Sequence, residues 1–91
     1  MSESILLEAE RITNGERNAA YGHPLTDYRC TAALWSAIIG VEITPQQAIL
    51  CMIAVKLSRE SRHHKRDNIV DMAGYANCLM KVEEKLREIL Q

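Results

Sequence analysis

An all-α fold, a compact bundle of about four helices completed by oligomerisation, is what this sequence predicts. Three observations carry the prediction. The chain has one Trp, three Tyr and no Phe, so its core must come from Leu, Ile, Val, Met and Ala; Ala, Leu and Met rank high as helix formers, above β-branched and aromatic residues. Its apolar residues recur at spacings of three and four, and no segment alternates convincingly as a strand would. Cap residues and glycine stops then cut the chain into helix-length pieces. With 91 residues, 47% apolar and 25% charged, the chain fits a single helical domain over 1–91 and excludes disorder and low-complexity classes.

The first helix is expected over about residues 3 to 14, with Ser2 or Ser4 as N-cap and Gly15 as its stop. Ile5, Leu6, Ala9 and Ile12 form its apolar stripe. Residues 15 to 25 carry Gly15, Gly22 and Pro24 without a sustained period, and read as a connection with room for one helical turn. This connection is rich in chemistry: it holds Arg17, Tyr21 and His23. A second helix is expected from Thr26 or Asp27 to Gly40, with Trp35 in its middle. Thr44-Pro45-Gln46-Gln47 is the sharpest boundary, because Thr as N-cap, Pro at the first position and Gln at the third make a capping box. Every residue from Ala48 to Val55 is apolar, so this third helix is expected to be covered on all sides, in the domain centre or against another subunit. The last helix starts near Asp67, with a stripe of Ile69, Met72, Ala73, Ala76, Leu79, Met80, Leu86 and Leu90.

The formal charge of −1 gives no global basic field for DNA or RNA, so a nucleic-acid partner is not expected. No apolar run is long enough to span a bilayer, and no basic region followed by an apolar stretch opens the chain; we expect no membrane partner and a cytoplasmic setting. Cys30, Cys51 and Cys78 lack paired spacings and lie in apolar stretches, which predicts three buried free thiols.

Lys56 stands in line with the apolar stripe of the third helix, where its stem either snorkels or its ammonium serves an anion in a cleft, with Arg59 on the same face. From Lys56 to Arg66 the chain reads KLSRESRHHKR, in which Lys56, Arg59, Arg62, Lys65 and Arg66 face a single acid, Glu60. The segment runs into the N-terminus of the last helix, where unpaired N–H groups also favour an anion. Lys56, Arg59, Arg62 and Arg66 are therefore the candidate phosphate ligands. His63 and His64 are adjacent and cannot share a metal as an i, i+4 pair does. Asp67 and Asp71 fall on one helix face. They fit a cap and a first-turn acid, a Mg²⁺ site, acceptors for a base or ribose, or ion-pair partners of Lys56 and Arg59; spacing does not separate these.

Tyr21 to Pro24 (Y-G-x-P), Trp35, the K-x-x-R of Lys56 and Arg59, and D-N-x-x-D-x-x-G-Y from Asp67 to Tyr75 together resemble a family of short phage and prophage proteins without assigned function, over about residues 5 to 82. More remotely, the K-x-x-R and the helix opening with spaced acids resemble the all-α nucleoside triphosphate pyrophosphohydrolases of the MazG type and phage nucleotide-modification domains. That resemblance implies a nucleotide ligand. MazG-like enzymes gather four carboxylates, from E-x-x-E and E-x-x-D motifs, around Mg²⁺. Here Asp67 and Asp71 depart from the second spacing, Glu42 and Glu60 stand alone, and Glu8 and Glu10 are two apart.

Three functions follow as expectations. The first is a phage-type oligomeric protein that sequesters a nucleotide-derived ligand without turnover, as the phage resemblance implies for sponges of host immune signals such as cyclic nucleotides or ADP-ribose derivatives. In it Tyr21, Tyr75 or Trp35 stacks on the base, and Asp67, Asp71 and His23 complete a base and ribose site; no catalytic residue and no cofactor is assigned. The second is a Mg²⁺-dependent pyrophosphohydrolase with Asp67 and Asp71 as metal ligands. The third is a protein-interaction module without a small ligand. All accommodate a homo-oligomer.

Overall fold

The computed structural model describes residues 3–91 and is all-α, with no strand among them. Five helices follow in order: α1 (Ile5–Asn14), α2 (Glu16–Tyr21), α3 (Pro24–Ile39), α4 (Pro45–Arg62) and α5 (Arg66–Leu90). The expected count rises from four to five because the connection after Gly15 contains a six-residue helix. Ser4 is the cap of α1, its Oγ accepting from the Leu7 N–H at 3.1 Å, while Ser2 lies outside the described residues. Of the expected stripe of α1, Ala9 is buried and Ile5 and Ile12 are half-buried, whereas Leu6 is exposed and Thr13 takes a buried place beside them.

α3 begins earlier than Thr26. Pro24 supplies the fixed φ that suits a first helical position, and the His23 ring takes the cap role, Nδ1 accepting from the Leu25 N–H at 3.1 Å. Asp27 becomes a first-turn acid. Gly40 ends the helix at φ 85° and ψ 15°, a left-handed conformation that favours glycine. The capping box at Thr44 forms as expected: Thr44 Oγ1 accepts from the Gln47 N–H at 3.1 Å, and Gln47 Oε1 accepts from the Thr44 N–H at 2.9 Å.

The central helix is α5, which packs against α1, α3 and α4. α4, expected to be covered in the domain centre or against another subunit, is not the centre of the single chain: Leu50, Cys51, Ala54 and Val55 are exposed there, because only its Ala48, Ile49, Met52 and Ile53 side meets the core. The buried positions of α5 are Asn68, Val70, Cys78 and Val82, whereas Ala76, Met80 and Leu90 of the expected stripe are exposed. A helix flanked by three others has no single wet face, so its stripe is not legible from one moment direction. Cys78 is buried; Cys30 and Cys51 are exposed, on the outward sides of α3 and α4, contrary to the expectation for all three.

Leu25, Tyr28 and Ala32 of α3, Ala48 and Ile49 of α4, and Cys78 and Val82 of α5 form the core. α1 docks on the other side of α5, where Gly74 permits close approach: a Cβ there would meet Thr13 Oγ1 at 3.3 Å. Thr13 Oγ1 donates to the Ala9 carbonyl at 2.7 Å. No helix of the described residues is long and apolar enough to cross a membrane.

Candidate ligand-binding site

The turn between α4 and α5 brings the basic segment against the start of α5. Lys56 leaves α4 one turn past Met52 and Ile53, so its stem lies on the core edge and its side chain is only 12% exposed. Its ammonium is 2.6 Å from Asp71 Oδ2 and 3.7 Å from Asp67 Oδ2. The hydrogen bond to Asp71 raises the Lys56 pKa; burial opposes that rise, and the charges of Asp71 and Asp67 add to it. Of the open alternatives for the two aspartates, ion pairing with Lys56 is the one the geometry realises. Asp71 and Asp67 thus stand one helical turn apart with a cation between them.

Lys56, Arg59, Arg62, His63 and Lys65 line one open groove with Asp67 and Asn68. Among the described residues, Arg59 and Arg62 have no carboxylate within ion-pair distance, which leaves two guanidinium groups available to an anion. The floor of this turn is fixed by Glu60, whose carboxylate accepts from the Lys65 N–H at 3.0 Å and from the buried Asn68 Nδ2 at 3.1 Å, and meets His64 Nδ1. Those bonds, the one from His64 foremost, hold the Glu60 carboxyl down at about 2. Glu60 therefore opposes the basic charge in sequence but faces the loop backbone in space.

Arg66 is not in this groove. It reaches α1, where its guanidinium pairs with Glu8 and donates to the Glu3 carbonyl at 2.8 Å, making it a strut between the first and last helices. Trp35 packs against the core and does not line the groove. His23 caps α3, and burial and the charges of Lys85 and Lys81 lower its pKa. The His23 side chain does not line the groove either.

Asp71 and Tyr75 do belong together. They line a cleft with Ala9, Thr13, Arg17 and Gly74, and Asp71 links this cleft through Lys56 to the basic groove. Arg17 is the residue that sequence reading left without a role. Its guanidinium carbon lies 5.4 Å from the Tyr21 ring centre, 5.6 Å from Tyr75 and 5.7 Å from Tyr28, so it meets every tyrosine of the chain. Nη2 donates to the Tyr28 hydroxyl at 2.9 Å and lies 3.6 Å from Asp27 Oδ2. Burial works against the guanidinium charge, but Tyr28, Cys78, Tyr75 and Asp27 outweigh it and leave its pKa raised. Burial likewise pushes the Tyr28 phenol up. The available signal was local: Arg17 and Tyr21 are four apart on a short helix. Tyr21 is 60% exposed and offers an open ring face at the end of the cluster.

No group of three or more His, Cys, Asp or Glu side chains arranged to hold a metal ion occurs among the described residues. With the Lys56 ammonium already between Asp67 and Asp71, this donor set does not fit Mg²⁺, which wants oxygens around the place a cation here fills.

A family model described as a domain of unknown function, DUF6378, matches residues 4–83. The chain belongs to this family. The matched span agrees with the one expected from the motifs and contains every residue of the groove and of the Arg17 cluster. Among curated proteins, the DUF6378 chain is 42% identical over 86 residues to the Gene 55 protein of Mycobacterium phage D29, covering 93% of this chain and 57% of that protein. It is also 42% identical over 83 residues to the Gene 55 protein of Mycobacterium phage L5, covering 88% of this chain and 53% of the other. The chain is thus a phage-type protein that spans little more than half the length of these relatives. No solved structure matches it.

Proposed function

We propose that this DUF6378 domain binds a nucleotide-derived anion and retains it without turnover, in the manner of a phage protein that sequesters a host signal such as a cyclic nucleotide or an ADP-ribose derivative. One observation carries the reading: Asp71 lines the Arg17–Tyr75 cleft and is ion-paired to Lys56, which lines the groove of Arg59, Arg62, His63 and Lys65. A phosphate in the groove meets guanidinium groups suited to planar, bidentate contact. A base lying outside the narrow cleft has the exposed Tyr21 ring to stack on, and the half-buried Asp71 carboxylate at the cleft edge can accept from its N–H groups or from a ribose hydroxyl. Arg59 and Arg62 replace Arg66 as the principal phosphate ligands in this picture, and Arg17 joins Tyr21 and Tyr75.

The pyrophosphohydrolase alternative requires Asp67 and Asp71 to release Lys56 and to recruit further carboxylates for Mg²⁺. The interaction-module alternative requires no ligand at all. The protein is incubated with Mg²⁺ and a panel of nucleoside triphosphates, cyclic dinucleotides and ADP-ribose derivatives, freed of unbound ligand and heat-denatured, and both fractions are analysed by chromatography. A ligand recovered intact from the denatured protein supports sequestration. Monophosphate with pyrophosphate, lost in Asp71→Asn, establishes the enzyme instead, and an unchanged melting temperature across the whole panel favours the interaction module. The Arg59→Ala/Arg62→Ala double variant is expected to keep its stability within about 0.5 kcal/mol, since both side chains are on the surface. Its affinity for the retained ligand is expected to fall by tenfold or more; unchanged affinity would refute the groove as the phosphate site.

A further inference from the structure

The α3–α4 hairpin is unlike the rest of the molecule. From Cys30 to Val55 it holds a single charged residue, Glu42, in a chain of which 25% is charged. Only one side of each helix is used by the core, and the outward sides are aliphatic. Leu34, Ile38 and Val41 are 59%, 81% and 63% exposed; Leu50, Val55 and Leu57 are 52%, 38% and 59% exposed. Side chains of this size and exposure amount, over the two helices together, to on the order of 600 Å² of aliphatic surface, most of the ~800 Å² that each partner contributes to a standard interface. Alanines and the two exposed cysteines fill the remainder of these helix sides, at Cys30, Ala33, Ala37, Cys51 and Ala54.

We propose that a second copy of this chain covers the outward face of the α3–α4 hairpin, making a two-fold symmetric dimer. Charge selects this occupant. In a two-fold interface, residues near the axis meet their own copies, so a charged face would oppose itself, whereas an uncharged aliphatic face is complementary to itself. A partner of different sequence, selected by opposite charge, would find nothing to read on this surface. The face also runs to the candidate site: Arg59 and Arg62, which line the basic groove, line a shallow depression along α4 with Cys51, Ala54, Val55 and Ser58. The second copy therefore seats at the rim of the groove. This inference stands independently of what the groove binds.

The test is the sedimentation of the ligand-free protein across roughly 1 to 200 μM, a range that brackets an ordinary dimer constant. Twice the 10.3 kDa chain mass is expected at the upper end. Ile38→Glu and Leu50→Glu, which place like charges across the axis, are expected to weaken dimerisation a hundredfold while leaving the helical circular dichroism unchanged. Leu90→Glu, on a leucine even more exposed at the far end of α5, is expected to remain dimeric. A wild-type monomer at 200 μM overturns the proposal, as does dissociation by Leu90→Glu with none by Ile38→Glu or Leu50→Glu. Should both hairpin variants fail to fold, thiol labelling of the wild type decides the matter. Cys51 labelling is expected to slow several-fold as concentration rises, with buried Cys78 unreactive throughout; equal Cys51 labelling at all concentrations refutes the covered face.

Discussion

Lys56 and Arg17 both carry a positive charge out of full contact with water, at 12% and 30% side-chain exposure, and the molecule satisfies them by different means. Lys56 is a compact ammonium with two carboxylates, Asp71 and Asp67, drawn from the opening turns of the next helix. Arg17 has one carboxylate at 3.6 Å and otherwise the rings of Tyr21, Tyr28 and Tyr75 with the Tyr28 hydroxyl. A point charge is matched by point charges, and a planar, weakly hydrated cation by π faces. The two centres differ in consequence as well: the Lys56 pair can be opened by an incoming anion that competes for the ammonium, whereas Arg17 holds α2, α3 and α5 together whether or not a ligand is present.

Removing Arg17 is therefore the larger perturbation. Arg17→Ala strips the buried Tyr28 phenol of its partner and removes the cation from among three rings, a loss of about 3 kcal/mol on typical values for an unsatisfied buried group with cation–π contacts. Arg17→Lys restores charge but neither the fork nor the flat face, and is expected to recover less than half. Urea unfolding midpoints at unchanged slope measure both; an Arg17→Ala loss under 1 kcal/mol would show the cluster to be incidental packing. Lys56→Met keeps the apolar stem and removes the charge, leaving Asp67 and Asp71 to repel one another. The expected cost is about 1 kcal/mol, with a similar coupling energy to Asp71→Asn in a double-mutant cycle, because Asp71 is partly solvated. The sign with pH follows from the raised Lys56 pKa. The stabilisation is complete below the ordinary value of 10.5 and is lost as pH rises through the folded value, so the wild type and Lys56→Met should converge in strong alkali.

The same contrast explains what the sequence made visible. Lys56 was legible as an inward cation because the informative residues, Met52, Ile53 and Arg59, lie within one turn of it, and Asp67 and Asp71 announced a shared face by their spacing. The capping box at Thr44 and the stop at Gly40 were legible for the same reason, being fully local. Arg17 was not, since two of its three rings, Tyr28 and Tyr75, arrive from other helices. His23 as a cap escaped notice because a ring nitrogen replaced the usual hydroxyl or carboxylate acceptor. The apolar run of α4 signalled burial but not how much of it the domain itself supplies; Cys51, in the middle of that run, is exposed in the single chain. Arg66 has the composition of a phosphate ligand, and only the docking of α1 assigns it to Glu8.

Glu60 sharpens the comparison from the acidic side, with the smallest effect of the three. It resembles Lys56 in being a charge met by several groups, yet its partners are the loop backbone at Lys65, the Asn68 amide and His64, and among the described residues no lysine or arginine side chain pairs with it. Hydrogen bonds to the ionised form favour that form, which is why the carboxyl is held at about 2 against an ordinary 4.5. A depressed folded pKa contributes stability that is present above the ordinary value and disappears as pH falls through the folded one. Glu60→Gln keeps an acceptor for the Lys65 N–H but has no charge to lose. Its stability deficit relative to the wild type should thus be constant above 4.5 and shrink progressively toward about 2. Thermal melts of both proteins across that window measure the difference, and a deficit that does not change with pH would mean the carboxylate acts in the α4–α5 turn by shape alone. If the deficit does shrink, the basic groove rests on a turn that acid loosens, and ligand affinity in the groove should weaken over the same interval in the wild type but not in Glu60→Gln.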